Sequence, residues 1–202
     1  MRALLNDAFQ RLVTFNKLEQ RRHLLERLDA LRLPPGSKAL DFGCGTGLFA
    51  PTFERANLRY HGYDIDEALV VYARRLYRRV VFVSTPEALR ALGPFDVIVA
   101  NCCFHHISDE TLAGELAGMR ELLRDDGTFI MIDLLLHDND PSFLRRQYRK
   151  LERGAFVRRG DEYGRLIERS FRVKRRDHDR SHVWSVKHNP LHQDLIVFEC
   201  GK

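Results

Sequence analysis

Short apolar runs alternate with stretches of helical spacing along most of this chain, and this alternation is typical of α/β proteins. The apolar runs predict five strands, at residues 39–42, 58–63, 80–83, 95–100 and 128–136. Between these runs, apolar residues recur every three or four positions, which predicts helices that each bury one face. Because strands and helices follow one another in regular order, we expect a largely parallel sheet covered on both sides.

The two ends of the chain depart from this alternation. Leucines at helical spacing from Arg2 to Leu33 predict one or two amphipathic helices, which end at the Pro34-Pro35-Gly36 break. Residues 181–186 and 194–200 predict a β-hairpin that follows the five strands. The pattern therefore divides the chain into a helical extension at 1–33 and one α/β domain at 34–202, with no internal repeat.

Three glycines, Gly43, Gly45 and Gly47, stand between the first predicted strand and the next helix. Glycine permits backbone torsions that a Cβ forbids and lets a ligand approach the main chain. The first amides of the following helix add unpaired donors and a partial positive charge. A nucleotide-like ligand is therefore expected here. The spacing departs from the dinucleotide fingerprint G-x-G-x-x-G and so disfavours a Rossmann dehydrogenase.

An acid ends the second predicted strand. Asp64 lies 21 residues after Gly43, where a doubly wound fold presents a carboxylate to the hydroxyls of a ribose. A charged acceptor suits two hydrogen bonds from a diol. Asp66 precedes the next helical stretch and is expected to cap that helix.

The fourth predicted strand leads into a polar loop, Asn101 to His106, at the carboxyl end where open α/β sheets place their sites. Cys102, Cys103, His105 and His106 include metal-ligating types, but four ligands within five residues can hardly reach one tetrahedral ion, so no metal site is expected. Either histidine is a candidate general base, because imidazole titrates near neutral pH. Packing is the alternative for each histidine, and His105 is our first choice for a substrate-facing role.

Composition limits the setting in which the protein works. The chain has 202 residues, of which 44% are hydrophobic and 30% are charged, as in ordinary globular domains. No apolar run approaches the roughly 20 residues of a membrane span, and the N-terminus is unlike a signal peptide. The four cysteines form no disulfide framework. We therefore expect a cytoplasmic protein.

Positive charge is concentrated in one segment. Residues 137–182 carry fourteen Lys and Arg against eight acids, whereas the whole chain has a net charge of +5. Such a patch attracts an anionic substrate or a nucleic acid. A solvated helical face is the commoner explanation of the same pattern.

The strings LDFGCGTG, GYDID and FDVIVANCCFHHIS, at residues 40–47, 62–66 and 95–108, together resemble the class I methyltransferases that depend on S-adenosylmethionine (SAM). Within that family, the chain resembles the small-molecule enzymes of methyltransferase types 11 and 12. The resemblance implies a single-domain, Rossmann-like α/β fold with N-terminal helices. Its seven-stranded mixed sheet has the order 3-2-1-4-5-7-6, with the last strand antiparallel and helices on both flanks. The resemblance also implies a basic lid at 137–180, between strands five and six.

The same resemblance assigns the cofactor contacts. In this family the glycine loop wraps the methionine part of SAM, and the acid before that loop lies near the amino group. The acid after the second strand binds the ribose, and the next residue lies against the adenine. An aspartate after the third strand, where this chain has Thr85, binds the adenine amino group. The residues expected to hold SAM are therefore Asp41, Gly43, Cys44, Gly45, Gly47, Asp64, Ile65, Thr85 and Asn101.

The implied activity is transfer of the SAM methyl group to an oxygen or nitrogen atom of a small-molecule acceptor, and an anionic acceptor is among those considered. His105 and His106 are the candidate catalytic residues. Both prolines of the Asn-Pro-Pro-Tyr motif are missing after Asn101, which weighs against adenine and glutamine side chains as acceptors. The alternatives are an RNA- or protein-directed methyltransferase that uses residues 137–182, and a SAM-binding module without catalysis. The sequence does not indicate an oligomeric state.

Overall fold

The structure is a computed structural model, and it describes residues 15–136, 155–182 and 192–202. Three predicted features lie wholly or partly outside these residues. They are the first turns of the N-terminal helices at 1–14, the beginning of the predicted lid at 137–154, and the end of the predicted hairpin strand at 183–186.

One sheet of seven strands has the order β3-β2-β1-β4-β5-β7-β6, which confirms the predicted order. The pairs from β3 through β5 are parallel, and β7 is antiparallel to both β5 and β6. The order of the strands reverses between β1 and β4, so a crevice opens at their carboxyl ends. The strands are β1 (Lys38–Phe42), β2 (Arg59–Tyr63), β3 (Val81–Val83), β4 (Phe95–Asn101), β5 (Leu123–Leu134), β6 (Arg172–His182) and β7 (His192–Gly201).

Helices cover both faces of this sheet. Apolar side chains of α1, α2 and α3 pack on one face, and those of α4, α5 and α6 pack on the other. Asp66 caps α3 as predicted, because its carboxylate accepts a hydrogen bond from the Ala68 amide at 3.0 Å. In the described ranges the helices are α1 (Phe15–Ala30), α2 (Ala50–Arg55), α3 (Glu67–Leu76), α4 (Pro86–Leu92), α5 (Asp109–Leu122) and α6 (Gly160–Ile167).

The N-terminal helix α1 is fixed to the sheet at both its apolar and its charged positions. Leu24 and Leu28 are buried in the same core cluster as the inner strands. The Arg27 guanidinium donates to Asp177 at 2.9 Å and to Asp179 at 3.0 Å, both on the edge strand β6. These contacts hold α1 across the face of the sheet rather than beside it.

Two strand boundaries differ from the prediction. β5 begins at Leu123, which pairs with Phe95, five residues before the predicted start at residue 128, and the β4–β5 register is irregular between these two points. β6 begins at Arg172, nine residues before the predicted Ser181, so the last part of the predicted lid at 137–180 is strand. β6 is an edge strand rich in charged residues, of which Arg175, Asp177, Asp179 and Arg180 form ion pairs. It therefore lacks the apolar alternation from which strands are predicted.

Candidate functional site

The glycine loop between β1 and α2 has left-handed backbone at all three glycines, with φ of +74° at Gly43, +53° at Gly45 and +76° at Gly47. A Cβ built at Gly43 would lie 2.5 Å from the Cys103 Cβ, so this glycine permits close packing inside the protein. A Cβ at Gly45 would meet nothing within 4 Å. Gly45 therefore leaves open space beside the main chain, as a ligand requires.

The Asp64 carboxylate, just beyond β2, ties this loop to the second strand. It accepts a hydrogen bond from the Gly45 amide at 2.7 Å and one from the Asp66 amide at 2.9 Å. Burial raises the pKa of Asp64, and the two amide bonds oppose that rise. Each carboxylate oxygen has a second lone pair, so Asp64 keeps the capacity to accept bonds from a ligand diol.

A cavity of about 510 Å³ opens at the carboxyl ends of β1, β2 and β4. Its volume lies in the range of small-molecule and cofactor sites. Ile65 lines this cavity with 81% of its surface exposed, so it offers an apolar surface to a ligand. The lining residues are Phe42, Gly43, Gly45, Tyr63, Asp64, Ile65, Asp66, Leu69, Cys102, Cys103, His106, Ile107, Thr111 and Glu115.

The loop after β4 is held from below by the buried Asp133 carboxylate on β5. One Asp133 oxygen accepts from the amides of Phe104 and His105, at 2.8 and 3.2 Å. The other accepts from the Leu134 amide at 2.7 Å and lies 2.5 Å from the His105 Nδ1. His105 is only 2% exposed, so its ring is a fixed part of the interior.

The same loop is held from the side by Arg158, which is 4% exposed. The guanidinium donates to the backbone oxygens of Phe104 at 2.9 Å and Ile107 at 2.6 Å, and to the Asp109 carboxylate at 2.8 Å. The Phe156 amide adds a bond to the His105 oxygen at 2.9 Å. The position of the His106 and Ile107 side chains in the cavity wall therefore depends on a segment that follows β5 in the chain.

The structure brings together five of the eleven predicted site residues at the cavity: Gly43, Gly45, Asp64, Ile65 and His106. The Asp41 carboxylate instead accepts from the buried Tyr60 hydroxyl at 2.8 Å. Gly47 packs so closely against Phe82 that a Cβ there would lie 2.7 Å from its ring. Asp41 and Gly47 therefore support the glycine loop from inside the protein and do not line the cavity.

Four other predicted residues are also outside the cavity lining. His105 is buried against Asp133, which corrects our preference for His105 over His106 as the substrate-facing residue. Thr85 caps α4, because its hydroxyl accepts from the Ala88 amide at 3.3 Å. Cys44 is buried, and burial raises the pKa of its thiol well above the ordinary value. The buried Asn101 amide group has no hydrogen-bond partner within the described residues.

Sequence reasoning missed the wall that α5 contributes. Thr111 and Glu115 lie one helical turn apart and both face the cavity, as do Tyr63 and Leu69. Burial raises the pKa of the Glu115 carboxyl, as expected for an acid that faces a partly enclosed space. The available signal was the i, i+4 spacing of Thr111 and Glu115 next to the buried stripe of Leu112, Leu116 and Met119.

The parts of the chain that the structure describes contain no group of three or more His, Cys, Asp and Glu side chains arranged to hold a metal ion. None of their helices has both the length and the apolar composition needed to cross a lipid bilayer.

A profile of the methyltransferase domain family matches residues 15–171, which is most of the chain. An uncharacterised methyltransferase of Geobacillus sp. (strain WCH70) is 27% identical over 141 residues, covering 68% of this chain and 65% of that protein. An O-methyltransferase of Pyrenophora dematioidea is 26% identical over 178 residues, covering 83% of this chain and 66% of that protein. The chain thus spans slightly less than two thirds of the length of each of these relatives.

Solved structures of similar fold include the magnesium protoporphyrin IX methyltransferase of Synechocystis PCC 6803 with bound S-adenosylhomocysteine (SAH). It superposes with a TM-score of 0.68 at 17% identity, covering 96% of this chain and 86% of that one. The YcgJ protein of Bacillus subtilis superposes with a TM-score of 0.67 at 17% identity, covering 90% of this chain and 98% of that one. At this level of identity the likeness concerns the fold.

Proposed function

The chain belongs to the class I SAM-dependent methyltransferases, and we propose that it methylates an oxygen or nitrogen atom of a small-molecule acceptor. The observation that carries this proposal is one cavity lined by both the glycine loop and the histidine of the loop after β4. The relative from Pyrenophora dematioidea, which is named an O-methyltransferase, supports an oxygen acceptor.

The residues at this cavity fit SAM. Gly45 leaves open space at the main chain, Asp64 keeps acceptor capacity for a diol, and Ile65 offers an exposed apolar surface to a planar base. The described lining carries three acids and neither Lys nor Arg, which suits a cofactor with a positive sulfur and an ammonium group. In the proposed site Gly43, Gly45, Asp64 and Ile65 contact SAM, and Asp41, Cys44 and Gly47 hold the loop in shape.

When bound, SAM supplies a methyl group that is already activated by its positively charged sulfur. The chain's own task is then to orient the acceptor and to exclude water from the cavity. His106 lines the cavity and is the residue that we propose accepts a proton from an acceptor hydroxyl. His105, bonded to Asp133, acts as a positioning residue because it fixes the backbone from which His106 projects.

Several basic residues of the 137–182 segment are committed to structural contacts, which favours a small-molecule acceptor over RNA. Arg158 is buried. Arg175 lies 2.8 Å from Asp177, and Arg180 lies 2.9 Å from Asp194. Guanidinium groups paired in this way offer less charge to a phosphate backbone than the sequence count indicates.

The test is a set of methyl-transfer assays with three acceptor panels: phenols with small amines, bulk tRNA, and mixed peptides. Release of SAH, measured by mass spectrometry, is expected with the first panel only. Release of SAH with tRNA or peptides alone would contradict the proposal. SAM binding by calorimetry without product in any panel would favour the non-catalytic module.

The same assay tests His106. His106→Ala is expected to lower turnover of a hydroxyl acceptor about 10²- to 10⁴-fold, the usual contribution of a general base, with SAM affinity nearly unchanged. His178→Ala, on the exposed edge strand β6, is the matched control and should keep the wild-type rate. Equal rates for the two variants would remove His106 from the proposed reaction.

A further inference from the structure

The end of β3 lacks the acid that the family resemblance leads us to expect for the adenine amino group. The aligned residue, Thr85, uses its hydroxyl to cap α4 and does not line the cavity. β3 itself is short and ends at Val83. If the cavity receives an adenosyl group, the acceptor for its exocyclic amine must come from another element.

α5 places a carboxylate at this cavity. Glu115 lines it together with Thr111, one turn earlier on the same helix. Across the described parts of the chain, no hydrogen bond or ion pair engages the Glu115 carboxylate. Burial raises the pKa of Glu115, because its charged form loses part of the solvation that it would have in water. Among the described residues, Glu115 is thus a partly buried hydrogen-bond acceptor with no protein partner.

The other two acids of the lining are already engaged. Asp64 accepts from the amides of Gly45 and Asp66, and the Asp66 carboxylate accepts from the Ala68 amide. Only Glu115, among the lining acids described, has both carboxylate oxygens free of protein hydrogen bonds.

Electrostatics indicate the side of the cavity on which Glu115 lies. Burial raises the pKa of Tyr63, and among the charges near Tyr63 the largest contributor is Glu115, followed by Asp64 and Glu87. Tyr63 is the last residue of β2 and pairs with Val83 of β3, and Glu87 is on α4. Since Tyr63 also lines the cavity and ends β2, Glu115 lies near the β2 end in the wall of this cavity.

The wall of the cavity combines the bare main chain at Gly43 and Gly45, the Asp64 carboxylate, and the exposed Ile65 with Glu115. A nucleoside bound through its ribose at Asp64 would extend its base toward Ile65 and Glu115. A planar base with an amine at its rim matches an apolar side chain beside a free carboxylate.

We propose that Glu115 accepts a hydrogen bond from the exocyclic amine of the adenine and thereby selects adenosyl ligands over purine nucleosides without that amine. This inference rests on the SAM site of the proposed function. It replaces the contact first expected from Thr85 and makes Glu115 a specificity residue for the cofactor. The carboxylate also keeps negative charge in a cavity that receives a cationic cofactor.

The test compares the binding of two ligands by calorimetry: SAH, and its analogue in which purine replaces adenine so that only the amine is missing. The wild-type chain is expected to bind SAH about 10- to 100-fold more tightly, the usual range for a hydrogen bond to a charged group. In Glu115→Ala this ratio should fall to about twofold or less. Glu115→Gln, whose amide oxygen still accepts, should keep part of the preference.

Glu121→Ala is the matched control, because Glu121 is exposed near the end of the same helix and is not part of the lining. It should keep the wild-type ratio. Since Glu115 has no described protein partner, Glu115→Ala is expected to fold normally, and circular dichroism melting checks this.

An unchanged ratio in a folded Glu115→Ala variant would overturn the inference and leave the SAM site intact. A wild-type chain that binds both ligands equally would overturn it as well. Absence of SAH binding by the wild-type chain would instead remove the SAM site itself, and the role of Glu115 with it. The three results are distinguishable in one set of titrations.

Discussion

The two walls of the cavity are held in place in different ways. The glycine wall, made of the 43–47 loop and Asp64, is held mainly by short backbone contacts: the amides of Gly43 and Cys44 donate to the Tyr63 oxygen at 2.8 and 2.9 Å. The histidine wall, made of residues 101–107, depends on side chains from far along the chain. Asp133 lies 28 residues from His105, and Arg158 lies 54 residues from Phe104.

Because of this difference, the two walls are expected to respond differently to mutation. The glycine wall owes its shape to residues that also face the ligand, so changes there are expected to alter binding. The histidine wall is shaped by buried residues behind it, so changes there are expected to alter stability first. Substitutions in each wall, measured by both unfolding and SAM binding, test this division.

Asp133→Ala is expected to lower the free energy of unfolding by about 3–5 kcal/mol, because it leaves several buried donors without an acceptor. These donors are the amides of Phe104, His105 and Leu134. Urea denaturation measures the loss. Asp133→Asn, which keeps one acceptor oxygen, should lose less. If both variants unfold like the wild type, the histidine wall does not depend on Asp133.

Asp64→Ala is expected to weaken SAM binding by about 2–4 kcal/mol, the value of two charge-assisted hydrogen bonds, and calorimetry measures it. The control is Asp66→Ala at the same cavity. It should lower the free energy of unfolding by about 1 kcal/mol through loss of the α3 cap, with a much smaller effect on SAM. Wild-type affinity in Asp64→Ala would show that the ribose does not bind there.

Gly45→Ala, in the glycine wall, and Gly36→Ala, outside it, form a matched pair of substitutions. Both glycines have positive φ, and a Cβ at either position meets nothing within 4 Å. Each substitution should therefore cost a similar strain of about 1–2 kcal/mol in the free energy of unfolding. Only Gly45 lines the cavity, so only Gly45→Ala should also weaken SAM binding. Equal SAM affinities for the two variants would count against the loop contact.

The raised pKa of Asp64 predicts a weak pH effect of opposite sign on binding and on stability. Binding needs the carboxylate, so SAM affinity should fall as pH is lowered through a pKa above the ordinary 3.8. Burial penalises that same carboxylate, so its contribution to stability is present below pH 3.8 and lost as pH rises through the raised pKa. Calorimetry measures the pH dependence of SAM affinity, and thermal melting at the same pH values measures that of stability, with Asp64→Asn as the reference for both. Parallel changes would contradict the assignment.

The chain carries its fold and its family in local patterns. Apolar runs and helical spacing predicted the strands and most helices, because burial of one or both faces imposes a period on neighbouring residues. The strand order came from the resemblance of the three motifs to the methyltransferase family. The glycine loop and Asp64 were likewise predicted from the sequence, since backbone torsion and the start of a helix depend on adjacent residues. Residues 172–180 of β6 were not predicted as strand, because an edge strand stabilised by ion pairs to α1 has no apolar alternation.

Only tertiary structure decided which polar side chains reach the cavity. His105 and His106 are adjacent in sequence, yet the Asp133 carboxylate draws one into the interior and leaves the other at the wall. Thr85 is engaged by its own helix, whereas Glu115 arrives on α5, which packs on the sheet from a different part of the chain. Such outcomes depend on distances between segments that no local pattern encodes.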